Sequence, residues 1–148
     1  MPYSEAVFDH CLYFNTTALA RLLERAWTAA FAEFELTPPQ AFMLRLVLDR
    51  PGLSQRELAA AMTIARPTAT RVLDGLEAHR LIRRRAGEAD GREQRIHPTA
   101  EAQAIHDDLN AASAQVTRRL KSLLGPQVFE QTVSKIRAVR TAIGDDAA

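Results

Sequence analysis

Six arginines crowd one short stretch of the chain: Arg80, Arg83, Arg84, Arg85, Arg92 and Arg95. A guanidinium is planar and permanently charged, and its forked donors match the paired acceptors of a phosphate or a guanine edge, with Arg84, Arg85 and Arg92 as the candidates for such contacts. Just upstream, Arg66, Pro67, Thr68, Thr70 and Arg71 form a donor-rich run whose first acid, Asp74, comes only two helical turns in. An acid at that end would repel a polyanion, so its absence fits an approach to phosphate. Ser54 and Gln55 open an earlier helix, from whose N-terminus they can donate to phosphate. Arg92 falls at the tip of a hairpin, where it can enter a narrow groove of strongly negative potential, with Asp90 bracing its guanidinium. The bland alternative is a solvated basic ribbon whose charges only discourage edge pairing. The helix pair directly before the ribbon weighs against that alternative.

The net charge of +1 conceals this asymmetry. Residues 1–49 hold three Arg against six Asp and Glu, a net of −3. Residues 50–99 hold ten Arg against six acids, a net of +4, and residues 100–148 balance six against six. The positive field is therefore local to the middle of the chain, as expected for a nucleic-acid-binding surface. The 148 residues, 47% hydrophobic and 25% charged, suit one ordinary globular domain. No apolar run approaches the length of a membrane span, and Met-Pro-Tyr-Ser-Glu lacks the pattern of a secretory leader. A single cysteine, Cys11, cannot pair within the chain. A cytoplasmic protein is the resulting expectation.

The elements that must carry these groups can be read from periodicity. Residues 8–34 predict a long amphipathic helix with Phe8, Leu12, Leu19, Leu23, Trp27 and Phe34 on one side. Thr37-Pro38-Pro39-Gln40 is a capping box opening a helix over 38–49, whose near-continuous apolar run predicts a buried centre. Ser54-Gln55-Arg56-Glu57 is a second capping box, starting a short helix to about Met62. After a brief turn, a helix over 66–79 has Val72, Leu73 and Leu76 as its inner face. Residues 81–85 and 94–97 read as two strands around Gly87, Asp90 and Gly91, with Pro98 and Thr99 ending the second. Two amphipathic helices follow, over 99–124 and 127–143, parted by Gly125-Pro126, with a frayed tail from Gly144.

This order of elements resembles the MarR (multiple antibiotic resistance regulator) family. So does the run Asp90-Gly-Arg92-Glu-Gln-Arg95-Ile96-His-Pro-Thr99, in which Asp90, Arg92, Ile96 and Thr99 fit that family's wing signature. Pro98 stands where leucine is usual, and Ala102 where glycine often follows. The resemblance implies a mainly α (α+β) fold, with a winged helix-turn-helix over 37–98 and dimerisation helices over 1–36 and 99–148. It implies a homodimer that places two recognition helices in successive major grooves of a pseudo-palindromic double-stranded DNA operator. It also implies a transcriptional regulator, expected to be a repressor released by a signal, and not an enzyme. The apolar surface of the first and last helices independently suggests a dimer.

The signal is open between two chemistries, a small aromatic effector and an oxidant. Cys11, with Tyr13 two residues on and His10 beside it, resembles the placement of the reactive cysteine in the family's hydroperoxide sensors. A neighbouring imidazolium or a helix N-terminus favours a thiolate and its oxidation to sulfenic acid. The alternative makes Cys11 a small buried hydrophobe. The four histidines have no ligand spacing, and no phosphate-cradling loop or nucleophile elbow occurs, so neither metal nor cofactor is expected. Two other functions remain: a winged helix used as a protein-interaction module, and a thiol enzyme built on Cys11.

Overall fold

Thr37 and Gln40 start the helix around which the core is built. In the computed structural model, which describes residues 7–87 and 93–147, α2 spans Pro38–Asp49 with both bonds of the capping box formed. Ala41, Met43, Leu44 and Val47 on α2 are fully buried. The expectation of a helix buried all round needs one correction. Phe42 is 37% exposed and sits in a cluster with Phe31 and Trp27, at ring separations of 5.9 and 6.4 Å.

The chain divides into two compact units, Met1–Ser113 and Ala114–Ala148. In the first, α1 spans Leu12–Phe31 and a 3-10 turn follows at Ala32–Phe34. The helix begins later than periodicity suggests because Cys11 takes the N-cap, with φ −87° and ψ 117°. The Asn15 side-chain amide donates to the carbonyls of Asp9 and Cys11, both at 2.9 Å, which holds the preceding residues in a turn. Glu35, in the left-handed region, ends the 3-10 turn.

After α2 come β1 (Leu53–Ser54), α3 (Gln55–Met62), α4 (Arg66–Ala78), β2 (Ile82–Ala86), β3 (Gln94–Pro98) and α5 (Ala100–Leu124). The sheet has three antiparallel strands in the order β1-β3-β2. β1 is absent from the sequence reading because a two-residue strand displays no alternation. Pro98 ends β3 opposite Ile82, where its missing N–H breaks no central ladder bond. Leu58, Leu73, Leu76 and Ile96 join Phe31 and Leu44 in one fully buried core.

The close of α4 has a specific device. Arg80 adopts φ +61°, and the N–H groups of Arg80 and Leu81 donate back to Glu77 and Leu76. That is a Schellman closure with an arginine where glycine is usual. The Thr99 hydroxyl donates to the Arg80 carbonyl at 2.8 Å and accepts the Ala102 N–H at 3.2 Å, joining the end of α4 to the start of α5.

The second unit holds the end of α5 and all of α6 (Pro126–Ala147). Gly125, at φ +85°, closes α5 through the Lys121 carbonyl, and Pro126 opens α6. α6 continues past Gly144, where the sequence suggested fraying, because one helical glycine costs only about 1 kcal/mol. Val128, Val133, Ile136, Val139 and Ile143 remain exposed along it.

Candidate nucleic-acid interface

α3 and α4 are joined by Thr63, Ile64 and Ala65, with Thr63 in the left-handed region at φ +58°. Ser54 caps α3: its hydroxyl accepts the Glu57 N–H at 3.1 Å, and the Glu57 carboxylate accepts the Ser54 N–H at 3.3 Å. Hydrogen bonding by Ser54, through its side chain and then its backbone, holds the Glu57 carboxyl below the usual carboxylate range, with the Arg95 guanidinium adding to the effect. Ser54 is only 1% exposed. Ser54, a candidate for phosphate contact, has its hydroxyl buried in the cap.

Gln55 and Thr70 are brought together. The Gln55 amide donates to the Thr70 hydroxyl at 2.6 Å, and that hydroxyl donates to the Arg66 carbonyl at 3.0 Å. The pair braces α3 against the first turn of α4, which leaves Thr70 no hydroxyl hydrogen for a base or a phosphate. Arg66, Pro67 and Arg71 stand exposed on the same helix, Thr68 is half-buried, and no acid lies in its first turn. Ala65 at the N-cap supplies no side-chain acceptor, so the first-turn N–H groups of α4 lack a side-chain cap.

The hairpin sorts its arginines by strand alternation. Ile82 is buried and Arg84 shares its face, so Arg83 and Arg85 point the other way and are exposed. The Arg84 side chain is 15% exposed and both its terminal nitrogens are engaged, Nη1 by Glu77 and Nη2 by Asp74, each at 2.8 Å. Arg84, a candidate for DNA contact, here bonds the wing to α4. Arg83, absent from the candidate set, takes the outward place. The period-two rule applied from Ile82 would have found it. Arg95 is likewise engaged, with Glu57 at 3.0 Å and Glu93 at 3.5 Å. Asp90 and Arg92 lie outside the described residues.

Cys11 is exposed at the cap of α1, where its Sγ accepts the Phe14 N–H at 3.5 Å, and Tyr13 is exposed beside it. This corrects the view of Cys11 as a helical residue; it precedes the helix. A feature that the sequence reading missed is Arg45 on α2. Its Nε donates to Asn110 at 2.7 Å and Nη1 to Ser113 at 3.0 Å, and the guanidinium lies 5.0 Å from the Phe42 ring centroid. The Trp27 indole N–H also donates to Ser113, at 3.0 Å. Burial lowers the Arg45 pKa, and no carboxylate pairs with it among the described residues. Among those residues there is also no cluster of three potential metal ligands, and no helix long and apolar enough to cross a membrane.

Residues 34–93 match the model of the MarR family. The HTH-type transcriptional regulator MgrA of Staphylococcus aureus is 27% identical over 117 residues, covering 71% of this chain and 80% of MgrA. Among solved structures, the repressor CouR bound to a 23-mer DNA duplex superposes with a TM-score of 0.86 at 24% identity, over 94% of this chain and 99% of CouR. The PcaV regulator of Streptomyces coelicolor, in complex with its natural ligand, gives 0.74 at 26% identity, over 84% of this chain and 91% of PcaV. The capped helix pair, the three-stranded wing and these likenesses agree: the fold is of the winged-helix kind, and residues 34–93 are similar to the MarR family.

Proposed function

We propose that the protein is a homodimeric transcriptional regulator that binds double-stranded DNA through α4 and the β2–β3 wing. The observation that carries this is the start of α4: Arg66 and Arg71 exposed, no acid in the first turn, and amides without a side-chain cap. A helix end of that kind suits a phosphate or a base edge. Arg83 and Arg85 add outward charge on the wing. CouR, bound to a DNA duplex, supports the same use of the fold. Exposed Leu12, Leu19 and Leu22 on α1, and the apolar stripe of α6, support a two-fold partner.

The test is selection of bound duplexes from a random pool, followed by affinity measurements across salt. Operators should emerge as two half-sites about one helical turn apart, and affinity should fall steeply and linearly on a log–log plot. A flat salt response would overturn the DNA reading in favour of a protein-binding module.

Release by a small acidic molecule follows from Arg45. A guanidinium carries five N–H donors, and the two bonds to Asn110 and Ser113 leave others free beside the Phe42 and Trp27 rings. The setting suits the carboxylate of an aromatic acid. Operator complexes titrated with aromatic acids should dissociate with wild type and resist with Arg45→Met. Equal response in both would exclude Arg45 as the anchor. The oxidant reading is tested alongside, with cumene hydroperoxide on wild type and Cys11→Ser; release of both alike removes Cys11 from the signal.

A further inference from the structure

Acidic side chains are costly on a surface that meets DNA, yet α4 carries two, Asp74 and Glu77, one turn apart on one side. Both are engaged by the same guanidinium, that of Arg84, at 2.8 Å each. These are charge-assisted bonds from two separate nitrogens, so Arg84 is held in direction as well as distance. Its neighbours in β2, Arg83 and Arg85, lie on the opposite, exposed face of the strand. The second wing strand has a tie of its own, since Arg95 in β3 donates to Glu57 at the start of α3. Each strand of the wing is thus bonded to one helix of the helix-turn-helix.

We propose that Arg84 is a positioning residue. Clamped between Asp74 and Glu77, it fixes where the outward arginines of the wing stand relative to Arg66 and Arg71 on α4. It thereby sets discrimination between an operator and a random duplex, and makes no phosphate contact itself. The inference rests on the DNA-binding reading above. It accounts for the two acids, which a purely electrostatic surface would not carry. It also separates the wing's arginines into two classes, those that hold the wing and those that face outward.

Two variants remove the clamp with opposite changes of charge. Arg84→Met keeps the buried stem and loses one positive charge. Asp74→Asn with Glu77→Gln removes two negative charges and keeps polar groups in place. Each is measured against a selected operator and a random duplex of equal length, across salt, with circular dichroism and thermal melting to confirm the fold. Positioning predicts that the operator-to-random affinity ratio falls about ten-fold in both variants, the scale of losing one mismatch-sized discrimination. In the double carboxamide variant, random-duplex binding should tighten while the ratio still falls. Arg84→Lys, which can hold one carboxylate, should recover part of the ratio.

Four results would overturn the proposal. If the double variant tightens both duplexes equally, the acids are merely repulsive. If Arg84→Met weakens both equally and lowers the salt slope by about 1, Arg84 is a phosphate contact. Wild type that binds no duplex would sink the DNA reading itself, and this inference with it. Wild type that discriminates while both variants keep its ratio would sink the inference alone.

Discussion

The same residue type performs different work along a few residues of this chain. Arg83, Arg84 and Arg85 are adjacent, yet only the middle one is bonded to α4, because a strand sends successive side chains to opposite faces. Ser54 shows the companion case, a polar residue at a helix start whose hydroxyl is wholly inside the cap. Ser54→Ala is expected to lower stability by about 1 kcal/mol and to leave operator affinity of the folded dimer unchanged. Denaturant unfolding and a binding isotherm at low temperature would check both halves. A loss of affinity with no loss of stability would restore Ser54 to the DNA surface. Glu57 carries a pH dependence of determined sign. Its carboxyl is held below the ordinary value by Ser54 and Arg95, so folding favours the ionised form. That contribution is complete above the ordinary glutamate pKa of about 4.3 and is lost as pH falls through the folded value. Glu57→Gln should therefore flatten the acid side of the melting-temperature profile, and a curve superimposable on wild type below about pH 4.5 would refute this.

At the scale of elements, the ends of helices hold most of the information. α2 and α3 each have a complete capping box, while α4 starts at Ala65 with no side-chain cap. The helix with the most exposed arginines near its start is thus the one that leaves its first amides uncapped. Ala65→Asp should raise stability by roughly 1 kcal/mol through capping and weaken DNA binding by placing an anion at that end. Melting and affinity should move in opposite directions; a change of the same sign in both would argue against α4 as the element meeting phosphate. The C-terminus of α4 has a parallel tension. Arg80 in the left-handed region costs on the order of 1 kcal/mol relative to glycine. Arg80→Gly should accordingly hold or slightly raise the melting temperature.

For the whole molecule, the unresolved balance lies in apolar surface. Leu12, Leu19 and Leu22 on α1 are exposed in the first unit, and Val133, Ile136 and Val139 on α6 in the second. Contiguous apolar stripes of this kind mark interaction surfaces more often than free ones. If the proposed dimer uses this stripe, Val133→Glu with Ile136→Glu should yield a monomer in analytical ultracentrifugation and make operator affinity concentration-dependent. A double variant that still sediments as a dimer would move the interface elsewhere. The wild-type melting temperature should rise with protein concentration for the same reason.

The order of helices, both capping boxes, the hairpin and the local positive charge were legible in the sequence because each rests on neighbours close in the chain: a serine three residues from a glutamate, an apolar period, a glycine before a proline. The resemblance to the MarR family was legible from the same short patterns. The partners of the charged groups were not. Arg84 meets Asp74 and Glu77 only because β2 folds back along α4, and Arg45 meets Asn110 and Ser113 only because α5 returns to α2 from 65 residues away. Charge and spacing determine which residues can bind an anion. Long-range packing decides which of them are already bound to the protein itself, since a guanidinium satisfied by its own fold has little left to offer DNA.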